Sequence, residues 1–192
     1  MPQNSGVTAS SLPLGPRTVL FVGAGVSAIA PASLPGWGAL NDAIARALVS
    51  RIEEALGKPG QLAGVADWLA NERSAGRFPP EYQAQLIEEM CGERYFRALQ
   101  ALDVAAANGA HIAIARLAAA GRVRAIVTTN FDRLIELSLT ALGVAHDVSR
   151  FGDEFTSAGE RLRAGAAAAL PVIKIHGCVS ELHSMIDTLK QR

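Results

Sequence analysis

Three short polar clusters, each where an apolar run ends, hold the residues best suited to chemistry: Gly23-Ala24-Gly25-Val26-Ser27, Thr128-Thr129-Asn130-Phe131-Asp132 and His176-Gly177. In the first, Gly23 and Gly25 allow a turn out of a strand and a close backbone approach to a diphosphate, while Ser27 adds a hydroxyl. The same letters satisfy the loose G-x-G-x-x-[G/A] pattern, which a ligand-free turn also satisfies. In the second, Asn130 and Asp132 stand where a strand gives way to a helix. Capping explains one of them, but two behind a pair of threonines exceed what a cap needs. In the third, His176 offers a proton acceptor near neutral pH, and a buried, hydrogen-bonded histidine is the plainer alternative. His111, His146 and His183 have no comparable setting and read as structural. Cys178 lacks a base and an orienting group and reads as an inert thiol, and Trp37 as a loop anchor or the start of a helix face, with a stacking surface for the ligand as the lesser alternative.

The elements that must position these clusters are legible from periodicity. Residues 18–22 form a continuous apolar run, as in a strand buried on both faces of a parallel sheet. Apolar spacing predicts a helix over 37–56, stopped by Gly57 and Pro59. Further helices are predicted over 62–72, 80–90, 95–107 and 110–120, with no strand between them. So long a helical stretch exceeds a simple crossover and predicts a small lobe over about 58–121. A strand over 123–129, a helix over 131–142, a strand over 145–149, a polar loop, a helix or turn over 159–168 and a strand over 170–175 follow. Residues 179–192 carry no convincing element. The expected fold is α/β: a Rossmann-like parallel sheet with helices on both faces and a small helical lobe inserted after the first βα unit. Ligands of such sheets sit in the crevice outside the carboxyl ends of the strands, where all three clusters fall.

Composition narrows the function classes. The 192 residues are 49% hydrophobic and 19% charged, enough for an ordinary core and against disorder over most of the chain. Lys plus Arg total 18 and so do Asp plus Glu, which leaves no global field to hold nucleic acid or an anionic membrane. Cys91 and Cys178 make neither a disulfide framework nor a zinc pair, so no metal site is expected and a reducing, cytoplasmic setting fits. Residues 1–16 read as a flexible tail without the features of a secretory signal, and 17–192 as one ligand-binding domain. The charge-free stretch 18–41 is too interrupted by Gly and Pro to span a membrane. A dehydrogenase would need an acid ending a second strand about 20 residues after the glycines, and the nearest, Asp42, lies in a helical pattern.

In chain order, Gly-Ala-Gly-x-Ser, then Leu34-Pro35-Gly36-Trp37, then Thr-x-Asn-Phe-Asp, then His-Gly, the sequence resembles the sirtuin superfamily over about residues 17–190. The resemblance implies that Gly23, Ala24, Gly25 and Ser27 hold the NAD+ diphosphate and that Asn130 and Asp132 line the nicotinamide and ribose pocket. It gives His176 the part of catalytic base, with Thr128, Thr129 and Gly177 beside the dinucleotide. Thr129 stands where deacylating sirtuins carry Gln, Leu-Pro-Gly-Trp replaces their Gly-Ile-Pro-x-Phe-Arg, and their four-cysteine zinc module is missing. The sequence is closer to bacterial sirtuin-like domains that hydrolyse NAD+ in antiphage defence. The resemblance therefore implies an NAD+ glycohydrolase, with Asn130, Asp132 and His176 catalytic, NAD+ as substrate and no zinc. Its implied partners are a fused or separate sensor or effector domain and further copies of the chain, with neither membrane nor nucleic acid. The alternatives are an NAD-dependent protein deacylase and a non-catalytic nucleotide-binding or interaction module. The family continues past His-Gly with strands for the adenosine half, whereas this chain ends about 15 residues on. A fragment or an incomplete pocket is expected.

Overall fold

The computed structural model describes residues 15, 17–165 and 168–185. The tail expected over 1–16 falls almost wholly outside the described residues, as does the end of the chain from 186. Among the described residues four parallel strands form the sheet: β1 (Val19–Val22), β2 (Ala125–Thr128), β3 (His146–Ser149) and β4 (Leu170–Lys174), in the order β1-β2-β4-β3. This order makes neighbours of the three strands that end in polar clusters and leaves β3 outside. The stitching continues past the strands, since Thr129 N donates to Val22 O at 3.1 Å and Ile175 N to Thr128 O at 3.0 Å.

Seven helices accompany the sheet among the described residues: α1 (Trp37–Leu56), α2 (Ala63–Ser74), α3 (Pro80–Cys91), α4 (Arg94–Leu99), α5 (Gly109–Ala119), α6 (Leu134–Ala141) and α7 (Gly152–Ala164). The crossovers into β2 and β3 run one way across the sheet and the crossover into β4 runs back. Right-handed connections then put α5 and α6 on one face and α7 on the other. Under α5 and α6, Val22, Ala115, Ile126, Ile135, Leu139 and Val172 form the main core. Each large member contributes about 1.5–3 kcal/mol through burial.

The helical lobe has its own core, in which Ala84, Ile87, Tyr95 and Leu99 meet Phe131, Val179 and Met185 from the carboxyl end of the sheet. Polar ties fix α1 within it. Buried Asn41 donates to Pro80 O at 3.1 Å and accepts from Tyr95 Oη at 2.8 Å. Asp42, mid-helix as its pattern required, accepts from Arg73 and from Gln83. Burial alone would raise its carboxyl, but those hydrogen bonds and the Arg73 charge outweigh it and hold the group below its ordinary value.

Several expectations need correction. Among the described residues β1 is an edge strand and not buried on both faces: Leu20 and Val22 turn toward the core, while Val19 and Phe21 are 51% and 70% exposed. The helix expected over 95–107 stops after α4 and one 3-10 turn (Gln100–Leu102), because Asp103 is held by the Arg133 guanidinium at 2.8 and 2.9 Å and Asn108 must be extended to cap α5. The helix expected from 131 starts at Leu134, since Asp132 Oδ1 accepts Leu134 N at 3.0 Å and Phe131 packs into the lobe. The expected polar loop after β3 is largely α7. Glu154 accepts the amides of Arg150 and Phe151 and so caps a start at Gly152, seven residues before the predicted one. That helix ends at Gly165, whose φ of 68° is left-handed, before most of the alanine run.

Candidate functional site

Beyond the carboxyl ends of β1, β2 and β4 lies a cleft of about 180 Å³, lined by Ala24, Ser27, Leu34, Pro35, Trp37, Leu102, Thr129, Asn130, Phe131, Asp132 and His176. Residues from all three clusters meet there, although Ala24 and His176 are 152 positions apart in sequence. Such a volume suits one heteroaromatic ring and not a whole dinucleotide, since pockets for drug-sized ligands run to about 300–1,000 Å³. A larger opening of about 500 Å³, with Arg17, Arg124 and Arg161 on its walls, lies at the opposite, amino end of the strands and contains none of the predicted residues.

The first cluster leaves β1 as a 3-10 turn over Ala24–Val26. Gly23 has φ −122°, and Gly25 is not among the glycines with positive φ, so the turn itself does not demand glycine at either position. A Cβ on Gly25 would meet nothing within 4 Å, and one on Gly23 only the Thr129 hydroxyl at 3.6 Å. What glycine provides here is free space over an exposed backbone. Ser27, 2% exposed, is turned inward to the second cluster.

That cluster divides its labour. Asp132 is fully engaged by the protein: Oδ1 caps α6, and Oδ2 accepts from Ser27 Oγ at 2.9 Å and from Asn130 Nδ2 at 3.3 Å. Its geometry is that of an anchor. Thr128, completely buried, accepts Asn130 N on Oγ1 at 3.0 Å and stands behind the cleft wall. Asn130 is 5% exposed and spends its NH2 on Ser27 (3.1 Å) and Asp132, which leaves Oδ1 buried without a partner. A buried acceptor left unpaired costs about 1–3 kcal/mol unless something donates to it.

His176, half-buried, stands between Trp37 and Phe131 with ring centroids at 6.4 and 6.3 Å. Gly177 is required by packing: at φ 86° a Cβ would lie 2.1 Å from Ser184 O. Cys178 is fully buried and accepts from Ser180 Oγ at 3.2 Å, consistent with an inert thiol. Trp37 both opens α1 and lines the cleft.

Three residues that the sequence reading gave no part in the site contribute to it. Asn108 caps α5 and donates to Val26 O at 2.8 Å and Ile29 O at 2.9 Å, so it grips the glycine turn from behind. His111, completely buried, places Nε2 3.1 Å from Ser27 Oγ. Burial pushes its imidazole below the ordinary value, with Asp132 and Glu136 pulling the other way. Lys174, also completely buried, donates to the Asp132 carbonyl and to Glu136 Oε1 at 2.8 Å, tying β4 to the loop that carries Asn130. A lysine inside the apolar strand Leu-Pro-Val-Ile-Lys is a signal in itself, because a charge there needs a buried partner. Asn108 with His111 three residues on has capping-box spacing.

Among the described residues no group of three or more His, Cys, Asp or Glu side chains is arranged to hold a metal ion, and no helix is long and apolar enough to cross a membrane. No curated protein matches the chain. The family model described as SIR2-like domain matches residues 124–191. That match, on a parallel α/β sheet of Rossmann type, supports the likeness of this chain to the sirtuin superfamily over the segment that brings Asn130, Asp132 and His176 to the cleft.

Proposed function

We propose that the chain binds NAD+ and hydrolyses the bond between nicotinamide and ribose. The observation that carries this reading is the unpartnered Asn130 Oδ1, a buried acceptor in a ring-sized cleft between the open glycine turn and His176. A carboxamide NH2 or a sugar hydroxyl is the donor it lacks. The absence of side chains at Gly23 and Gly25 leaves the backbone open to close approach by a diphosphate, and a Cβ on Gly25 would meet nothing within 4 Å. A SIR2-like match suggests NAD-related chemistry, and these features are of the kind that chemistry needs.

In the reaction, the C–N bond breaks with its electron pair leaving on nicotinamide, a good leaving group because the pyridinium nitrogen is already cationic. Water adds to the ribose carbon, and its proton passes to His176. Asn130 orients the carboxamide or the water, and Asp132 holds Asn130 and Ser27 in place. General-base help of this kind is worth about 10²- to 10⁴-fold in rate. We read the activity as NAD depletion in bacterial antiphage defence, restrained in healthy cells through oligomeric state or a sensor domain.

The test is nicotinamide release from NAD+ by the 192-residue chain beside Asn130→Ala and His176→Ala, with NAD+ binding followed by calorimetry. Release by the wild type that both variants lose, with binding retained by His176→Ala, is the expected result. Neither release nor binding by the wild type would overturn the reading.

A further inference from the structure

The proton order around Ser27 is fixed by a residue that does not itself line the cleft. The backbone N–H of Asn108 donates to His111 Nδ1 at 3.2 Å, so Nδ1 presents a lone pair and the proton of the neutral ring sits on Nε2. Nε2 then donates to Ser27 Oγ across 3.1 Å. With Asn130 Nδ2 donating to the same oxygen, both acceptor positions of Ser27 are filled and its own proton goes to Asp132 Oδ2. This order excludes His111 as a base that activates Ser27, because its ring has no lone pair facing the hydroxyl. It also locks the Ser27 rotamer, so that Ser27 Oγ and Asp132 Oδ2 together hold the Asn130 NH2 and fix the orientation of Oδ1.

We propose that His111 is a positioning residue: by donating from Nε2 to Ser27 it sets the hydrogen-bond order through Ser27, Asp132 and Asn130 that presents Asn130 Oδ1 to a ligand's N–H or O–H. The catalytic consequence rests on the hydrolase reading, while the proton order rests on geometry alone. Without the His111 donor, Ser27 is free to rotate away, and Asn130 loses one of the two acceptors that fix its amide. Glutamine at this position places an N–H donor near where Nε2 stands, whereas leucine of similar bulk does not.

The test uses the whole chain labelled with 15N. Long-range spectra of the imidazole nitrogens should show His111 as the Nε2–H tautomer at neutral pH. The Asn130 NH2 should exchange with solvent about fivefold to tenfold faster in His111→Leu, the range one ordinary hydrogen bond controls, and regain protection in His111→Gln. In parallel, kcat for nicotinamide release should fall about 10²-fold in His111→Leu with KM little changed, as expected for a reacting group held slightly out of place, and recover in His111→Gln. An Nδ1–H tautomer overturns the proposal, as does an Asn130 amide indifferent to His111→Leu. If that variant fails to fold, the wild-type tautomer and the glutamine variant decide. Should the wild type release no nicotinamide while the tautomer and the exchange pattern hold, the hydrolase reading falls and the positioning role is supported.

Discussion

Replacing Lys174 tests whether the loop bearing Asn130 is held by a buried ion pair. Lys174→Met removes the cation and leaves the Glu136 carboxylate, whose Oε2 already lacks a partner, without a counter-charge in the interior. It also strips the donor from the Asp132 carbonyl. Breaking one side of a buried pair costs about 3–5 kcal/mol, against a total of about 5–15 kcal/mol for a typical domain. Glu136→Leu strands the ammonium and should cost a similar amount. The double variant removes both charges and retains mainly the unsatisfied Asp132 carbonyl, worth about 1–3 kcal/mol. It should therefore be more stable than either single variant, the reverse of additivity. Urea unfolding at neutral pH, followed by far-UV circular dichroism and by the fluorescence of Trp37 and Trp68, gives the four free energies. Additive losses, or a double variant less stable than both singles, would refute the claim that the pair clamps β4 to the loop.

The two kinds of glycine separate cleanly. Gly25→Ala should leave stability within about 0.5 kcal/mol, since its backbone is ordinary and nothing stands within 4 Å of the new methyl, yet weaken NAD+ binding at least about tenfold, read by thermal melts and calorimetry. Gly177→Ala should cost about 3 kcal/mol or more, because a left-handed φ and a contact of 2.1 Å with Ser184 O both oppose the methyl. pH gives a further check. His111 is neutral when folded and its imidazole is depressed by burial, with Asp132 and the Lys174-paired Glu136 opposing. Below a pH of about 6.5 the unfolded chain takes up a proton that the folded one resists, so stability should decline as pH falls through the folded value, and this part of the decline should vanish in His111→Gln.

Strands β1, β2 and β4 were legible because each is a short apolar run closed by polar residues, and α1 because its stripe runs from Trp37 to a left-handed Gly57. Missed boundaries trace to side chains whose partners are distant in sequence. Nothing near Asp103 announces Arg133, yet that pair ends the helix expected through 107. α7 was hidden for a local reason: Glu154, three residues after the cap, is its start signal, and it lies in a stretch polar enough to pass for loop. His111 read as a satisfied core histidine, and so it is. What satisfies it is Ser27, 84 positions away, and that fact exists only in the folded chain.

Residues at strand ends can be sorted by asking what already accounts for them. Thr128 is explained by the Asn130 amide, Asp132 by a helix cap and two donors, and Gly177 by the carbonyl of Ser184. Each would be needed in a protein of this shape with no ligand. Gly23 and Gly25 have no such explanation, since neither φ nor neighbours require them, and neither has Asn130 Oδ1, buried and unpaired. A polar acceptor left unsatisfied and side chains left out both cost stability, through desolvation and through extra freedom of the unfolded chain. These unexplained features stand around the same carboxyl end of the sheet, where an incoming donor and an incoming diphosphate would account for them together.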